Sequence, residues 1–480
     1  MTLDVFAAAR RHPRAVAVVT TERELDYGEL AERCRTRVAA LAERGLLDAT
    51  RPLALLVRPT LASLETLLAC LAHGVPVLVL AARTPLSERE ALARRAHVSA
   101  LLDPETDCIE SAGSAPPPPP ALEPERPLAI VPSSGSTGVP KLVELSRGAF
   151  SASARSSADN LPLVPGDRWL MCLSPSHVGG LSIVTRSLVA GSAVALFDAG
   201  DGGLLSRAAE LTAVLERTRA TLVSLVPALL SRLFELSPPW TPPPELRAVL
   251  LGGAATPLPL LEKARSRRVP VLTTYGLTEA CSQVTTTPFG DEPATRDGLV
   301  SAGRALSGQA LRIGPGDRIC VRGPTLATRL LDAELPLTSD GFLETDDLGY
   351  LAPSGDLFVY GRASERLVSG GENVDPLQVE AALLRDPAVL GACVFGVPDP
   401  EFGELVACAL VVAPGFDAAR VEASLRASLA SAARPRLVAK VTTLPLNPNG
   451  KLDRPRARAQ ATPALTSWAA LSRRSGETPP

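Results

Sequence analysis

Ser133-Ser134-Gly135-Ser136-Thr137-Gly138-Val139-Pro140-Lys141 follows the short apolar run Leu128-Ala129-Ile130-Val131. Small and hydroxylated residues in a row cannot fill a core. Their backbone N–H groups and hydroxyls can surround phosphate oxygens, with Gly135 and Gly138 letting the chain turn closely around an anion. Lys141 adds a cation at the lip of the loop. The spacing is not the Walker pattern, so a solvated turn is the competing reading and residues elsewhere must decide.

Four other constellations could do chemistry. Tyr275-Gly276-Leu277-Thr278-Glu279 follows a strand-like run, where ligands of α/β folds bind. Tyr275 offers a flat face for a base, Thr278 a hydroxyl for phosphate, and Glu279 an oxygen ligand for a hard cation. The plain alternative is a strand-to-helix turn. Thr345-Asp346-Asp347-Leu348-Gly349 reads as a turn between strands whose carboxylate can accept both ribose hydroxyls, or simply as an Asp-rich turn. Gly361-Arg362 precedes Ser369-Gly370-Gly371-Glu372-Asn373-Val374; Arg362 is a fork for phosphate or ribose, or part of an interdomain loop. Asn447-Pro448-Asn449-Gly450-Lys451 carries Lys451 at the tip of a turn. That lysine is either solubilising or a charge that stabilises carboxylate attack on a phosphoryl group.

These groups need a scaffold, and 480 residues suffice for two to four domains. Lys and Arg number 49 against 51 Asp and Glu, which argues against a basic nucleic-acid footprint. Eight scattered cysteines without a C-x-x-C pair, and four histidines without metal spacing, argue against structural zinc and a disulfide framework. Residues 1–14 hold no apolar signal core, and apolar stretches such as 75–82 are strand-sized, so a cytoplasmic protein without a membrane span is expected. Helical patterns at 27–41, 61–73, 148–160, 180–190 and 204–217 alternate with Val/Leu strands at 53–57, 75–80, 169–173, 193–197, 221–226, 248–251 and 271–274. This alternation predicts an α/β fold with buried parallel strands. Short strands and turns take over from about residue 300, and a last mixed unit begins near residue 365. The five prolines 116–120 read as a surface spacer, and the tail after about Ala464 as frayed.

In this order the motifs resemble the adenylate-forming superfamily of acyl-CoA synthetases, luciferases and peptide-synthetase adenylation domains, over about residues 27–454. The resemblance implies a large N-terminal domain (1–361) of layered α/β subdomains plus a distorted β-barrel, a hinge at 362–364, a small mobile α+β C-terminal domain (365–464) and a tail (465–480). It implies that Ser133, Ser134, Gly135, Ser136, Thr137, Gly138 and Lys141 hold the pyrophosphate end of ATP. Tyr275 would lie against adenine beside Gly252-Gly253-Ala254, Thr278 would serve the phosphates, and Glu279 would bind Mg²⁺. Asp347 and Arg362 would hold the ribose. Lys451 would stabilise the first transition state and then swing away as the smaller domain rotates, and Ser369, Gly370 and Gly371 would meet coenzyme A.

Ser174-Pro175-Ser176-His177-Val178-Gly179-Gly180-Leu181-Ser182 with Arg186, and Cys281-Ser282-Gln283-Val284, look most like the o-succinylbenzoate–CoA ligases of menaquinone biosynthesis. His177, Gly180, Arg186, Gly252 and Ser282 are then the candidate acid-binding residues, Arg186 because a guanidinium pairs bidentately with a carboxylate. His177 as a mere gate and Arg186 on a solvated helix face are the alternatives. An Asp near Ser176-His177, expected for an amino-acid substrate, is missing. Three positions depart from the family pattern: Asp346 replaces a glycine, Ser364 replaces a hinge Asp or Lys, and Ser146 replaces a histidine. Asp346 would cost on the order of 1 kcal/mol if its φ is positive, and would repel phosphates if it faces inward. The expected partners are a small carboxylic acid, ATP and CoA, with a carrier-protein phosphopantetheine as an alternative thiol and a homodimer allowed. A catalytically silent nucleotide-binding paralogue is the non-enzymatic alternative.

Overall fold

The computed structural model describes residues 3–107, 117–118, 121–133, 139–200, 203–447 and 450–475. The phosphate-loop residues Ser134, Gly135, Ser136, Thr137 and Gly138, and most of the proline run, lie outside them.

Two α/β sheets form the body of the N-terminal unit. In the first, Leu53–Val57, Val77–Ala81 and Pro127–Ser133 run parallel, and Lys141–Ser146 returns antiparallel beside the last. Every residue of Leu53–Val57 is buried, as a strand covered on both faces requires. In the second sheet Arg168–Met171, Ala193–Leu196, Leu222–Leu225, Ala248–Leu251 and Val271–Leu277 are parallel neighbours. Local chemistry starts the helices between them. Asp26 and Glu29 form a capping box for Tyr27–Glu43, and Thr60 caps Leu61–Ala72. Ser146, one of the departures, accepts from the Ala149 amide at 3.1 Å and caps Arg147–Asn160. The helix expected at 204–217 is two, Gly203–Ser206 and Ala208–Arg217, because Arg207 between them leaves helical geometry.

The short strands after residue 300 make a four-stranded antiparallel sheet, Ala310–Ile313, Arg318–Arg322, Leu343–Leu351 and Leu357–Arg362. It joins the second sheet through Leu357, whose amide donates to Gly303 and whose carbonyl accepts from Ala302, both at 2.8 Å. One expectation is corrected here. Residues 345–349 are not a turn but the middle of Leu343–Leu351, a strand paired on both sides. Asp346 has no positive φ, so the strain considered for it does not arise.

The chain leaves this sheet at Arg362, passes a short 3-10 turn, Ala363–Glu365, and enters a smaller α+β unit with its own core. The hairpin Val389–Asp399 and Gly403–Val412 is the centre of that unit, with Leu437–Lys440 parallel to its second strand. The expectation of a frayed tail is also corrected. Thr466–Ser467 pairs with Leu437–Lys440, and Trp468 and Leu471 are buried, the indole donating to the Pro435 carbonyl at 2.7 Å. Two apolar side chains three residues apart give this last helix one packing face, which the surrounding Ser and Arg residues mask in the sequence. The seven described cysteines are buried and unpaired.

Candidate active site

The ends of the parallel strands, the edge of the antiparallel sheet and the Lys451 turn of the smaller unit come together around Tyr275, Asp347, Arg362 and Gly253. Tyr275 lies within the strand Val271–Leu277, not after it, and is buried. Its hydroxyl donates to Asp347 Oδ2 at 2.8 Å, and Arg362 Nε donates to Asp347 Oδ1 at 2.8 Å. Strand register brings this about: Asp347 and Arg362 are paired neighbours across adjacent strands. Burial, and then the Asp347 charge, push the Tyr275 phenol well above its ordinary pKa, so it stays a donor. Asp347 is thus an oriented carboxylate at the cleft wall.

The Gly252-Gly253-Ala254 turn follows the strand Ala248–Leu251, its Gly252 amide donating to the Leu225 carbonyl at 3.1 Å. Gly253 has φ +81°, and a Cβ there would lie 3.6 Å from Lys451 Cε. The lysine of the second unit therefore reaches across to the turn of the first. Its own turn is fixed by the Lys451 amide donating to Asn447 Oδ1 at 3.0 Å and by the Asn447 amide donating to the Lys451 carbonyl at 2.7 Å. Solvent still reaches the Lys451 side chain. Lost hydration in the cleft, then the nearby Arg362 charge, lower its pKa below the usual lysine value, with Asp347 opposing.

Three residues beyond Lys451, Arg454 anchors the turn. Its guanidinium bonds Glu365 (3.2 Å), Glu380 and the Val394 carbonyl (2.6 Å). Glu365 belongs to the turn that joins the two units, so Lys451 is tied to the connection as well as to the core of the smaller unit.

Thr278 and Glu279 sit on a 3-10 turn, Thr278–Ala280, half-buried, with the Glu279 carbonyl accepting from Ala327 at 2.8 Å. Among the described residues no three metal-ligating side chains cluster. One carboxylate plus phosphate oxygens is nevertheless an ordinary Mg²⁺ set, so Glu279 fits that role. Ser133 and Lys141 are register partners across adjacent antiparallel strands. Lys141 is exposed.

The helix Val178–Ala190 is buried almost all round. Gly180 is in its first turn, where a Cβ would lie 2.3 Å from the Ser174 carbonyl oxygen, and half-buried His177 is its N-cap. Arg186 is not on a solvated face: it is only 2% exposed. Its Nη2 lies 3.3 Å from Ser282 Oγ, its guanidinium carbon 5.3 Å from the Trp169 ring centroid, and its Nε is unpartnered. Among the described residues no carboxylate pairs with it, and burial pushes its pKa down to about 10, leaving it charged at neutral pH. Cys281 and Ser282 beside it have φ of 53° and 87°, left-handed geometry that costs non-glycine residues roughly 1–3 kcal/mol each and clusters at functional sites. Trp169, and the backbone strain at Cys281 and Ser282, were not legible: the first reads as core, and φ leaves no mark in sequence.

Ser369, Gly370 and Gly371 form the turn of the hairpin Leu367–Ser369 and Glu372–Val374, with φ of 59° and 81° at the two glycines. Their described hydrogen bonds stay within the smaller unit, for example Gly370 N to Phe402 O at 2.9 Å, and do not reach the Lys451 cleft.

Residues 5–330 match the model of the AMP-binding enzyme family, and residues 378–451 that of the AMP-binding enzyme C-terminal domain. The chain is 32% identical to a 2-succinylbenzoate–CoA ligase of Bacillus velezensis, covering 93% of this chain and 96% of that protein. Among solved structures it resembles o-succinylbenzoate CoA synthetase (MenE) of Bacillus subtilis in complex with the acyl-adenylate intermediate OSB-AMP. There the TM-score is 0.82 at 27% identity, covering 94% of this chain and 97% of that one. The same Bacillus subtilis protein in complex with ATP and magnesium ion gives 0.82 at 28% identity, covering 95% and 98%.

Proposed function

This chain belongs to the AMP-binding enzyme family, and from that membership we propose that it is an ATP-dependent acid–CoA ligase acting on o-succinylbenzoate or a related aryl acid. In the first step the acid carboxylate attacks the α-phosphorus of ATP and pyrophosphate leaves. In the second the CoA thiol attacks the acyl carbon and AMP leaves. A carboxylate resists a thiol until its oxygen becomes a good leaving group, which adenylation supplies.

The observation that carries this reading is Lys451, delivered by the smaller unit to the cleft that holds Tyr275, Asp347 and Arg362. Lys451 stabilises the charge that builds on the α-phosphate, where a positioned cation acts most strongly. Asp347, oriented by Tyr275 and Arg362, accepts the ribose hydroxyls. The loop bounded by Ser133 and Lys141 cradles the pyrophosphate, with Thr278 adding a hydroxyl. Glu279 would hold Mg²⁺, which when bound neutralises phosphate charge. Ser369, Gly370 and Gly371 meet CoA after the smaller unit has turned. The buried, unpaired Arg186 calls for an acid with a second anionic group, and His177, Gly180, Gly252 and Ser282 shape the rest of that pocket.

ATP–pyrophosphate exchange over a panel of acids, followed by thioester formation with CoA, tests the whole assignment. Exchange with aryl dicarboxylates and none with their monocarboxylate analogues is expected; no exchange with any acid would leave only a nucleotide-binding protein. A phosphopantetheinylated carrier protein in place of CoA separates the two acceptor thiols. Among the described residues no helix is long and apolar enough to cross a membrane. A cytoplasmic location suits a protein that uses ATP and CoA and keeps seven thiols unpaired.

Asp347→Asn should raise the KM for ATP about 10- to 100-fold, the usual size of a lost charge-assisted hydrogen bond, with a smaller effect on the KM for the acid. Steady-state kinetics with each substrate varied would check this; equal effects on both would remove Asp347 from the ribose.

A further inference from the structure

We propose that Asp346 and Ser364 form a releasable latch that holds the smaller unit in the orientation presenting Lys451 to the nucleotide cleft, making Asp346 a positioning residue for the first half-reaction. The inference rests on the two-step reading above.

Adjacent residues of a strand point to opposite faces. Asp347 faces the cleft and binds Tyr275 and Arg362. Asp346 therefore faces away, and the repulsion of nucleotide phosphates considered for it does not occur. Its Oδ1 accepts from the Ser364 amide at 3.2 Å, and its Oδ2 from the Ser364 hydroxyl. Arg318 supports it from the neighbouring strand, with Nη1 3.7 Å from Asp346 Oδ1 and 3.0 Å from the Thr345 carbonyl. Two consecutive carboxylates thus grip the exit segment on both faces, Asp347 through Arg362 and Asp346 through Ser364.

The two grips differ in what they hold. Arg362 is the last residue of its strand and stays with the larger unit, whereas Ser364 lies in the turn Ala363–Glu365 that leads into the smaller one. Rotation about this turn can preserve the Arg362–Asp347 pair but must break the Ser364–Asp346 contacts. Both Asp346 and Ser364 are reached by solvent, which keeps the net strength of their hydrogen bonds low. That suits a contact made and broken in every turnover. The two departures from the family pattern are accordingly one device: a carboxylate on the strand and a hydroxyl on the hinge that receives it.

The test uses the full-length protein with Asp346→Ala, Ser364→Ala and Ser364→Thr. The readouts are ATP–pyrophosphate exchange, thioester formation from preformed acyl adenylate and CoA, and amide hydrogen exchange of residues 360–368. In both alanine variants the ratio of the second rate to the first should rise threefold or more, the size of one or two modest hydrogen bonds. Ser364→Thr, which keeps the hydroxyl, should hold the wild-type ratio. The 360–368 segment should exchange faster in Asp346→Ala. A smaller rise, a fall, or opposite responses of the two alanine variants would overturn the latch. If the wild-type protein adenylates no acid, the functional reading fails and the amide-exchange arm decides alone: unchanged protection of 360–368 in Asp346→Ala sinks the latch.

Discussion

Lys451→Ala should reduce ATP–pyrophosphate exchange about 10²- to 10³-fold, the cost of removing one positioned charge donor from a transition state. Thioester formation from a preformed adenylate should stay within a few-fold of wild type. The asymmetry follows from where the side chain lies. Its Cε sits over the Gly253 turn and its charge feels Asp347 and Arg362, the position from which, on the proposed reading, it would serve the phosphoryl step. Equal loss in both half-reactions would mean that the lysine shapes the fold rather than the chemistry. The pH profile gives a second check. The ammonium must stay protonated to stabilise negative charge, and partial desolvation against the Gly253 turn, with Arg362 nearby, lowers its pKa. The first half-reaction should therefore fall as pH rises through a value below the ordinary lysine pKa of about 10.4. That alkaline limb should be missing from the thioester step.

Arg186→Met should have opposite effects on activity and on stability. A buried guanidinium without a carboxylate partner lacks the compensation that usually accompanies a buried charge, so a volume-matched apolar residue should leave the melting temperature unchanged or raise it. Activity should move the other way. If the second carboxylate of the acid pairs with Arg186, its loss leaves that group buried and unpaired, at a cost of about 2–5 kcal/mol. KM for the dicarboxylic acid should rise about 30-fold or more, with KM for ATP nearly constant. The discrimination between dicarboxylic and monocarboxylic acids should collapse with it. Arg186→Lys should rescue poorly, because an ammonium cannot reproduce both the stacking on Trp169 and a bidentate fork. A destabilised Arg186→Met protein with unchanged acid preference would show that the arginine is only a packing element.

Legibility followed the physics of each element. Lys451 and Tyr275 were singled out by the order of the motifs and the family resemblance it carries; taken singly, each also read as part of an ordinary turn. Residues 345–349 misled because Thr, Asp and Gly are turn formers, yet pairing with neighbours on both sides overrides that preference. The opposite facing of Asp346 and Asp347 appears only once the strand is known. Arg186 was ambiguous for another reason: the helix Val178–Ala190 is buried on nearly every side, so helical periodicity cannot tell an inner face from an outer one. The last helix was missed because its two buried residues, Trp468 and Leu471, are too few to set a pattern. Spacing identified the groups; only the fold could say which of them face one another.

Arg454 ties the Lys451 turn to Glu365 at the joint and to Glu380 in the small unit's core. The lysine is therefore the end of a lever whose other end is the hinge itself. It cannot leave the cleft while the unit stays, nor stay while the unit leaves. On the two-step reading proposed above, the two half-reactions then become mutually exclusive by mechanical gearing, with no thiol received while ATP is still being cleaved.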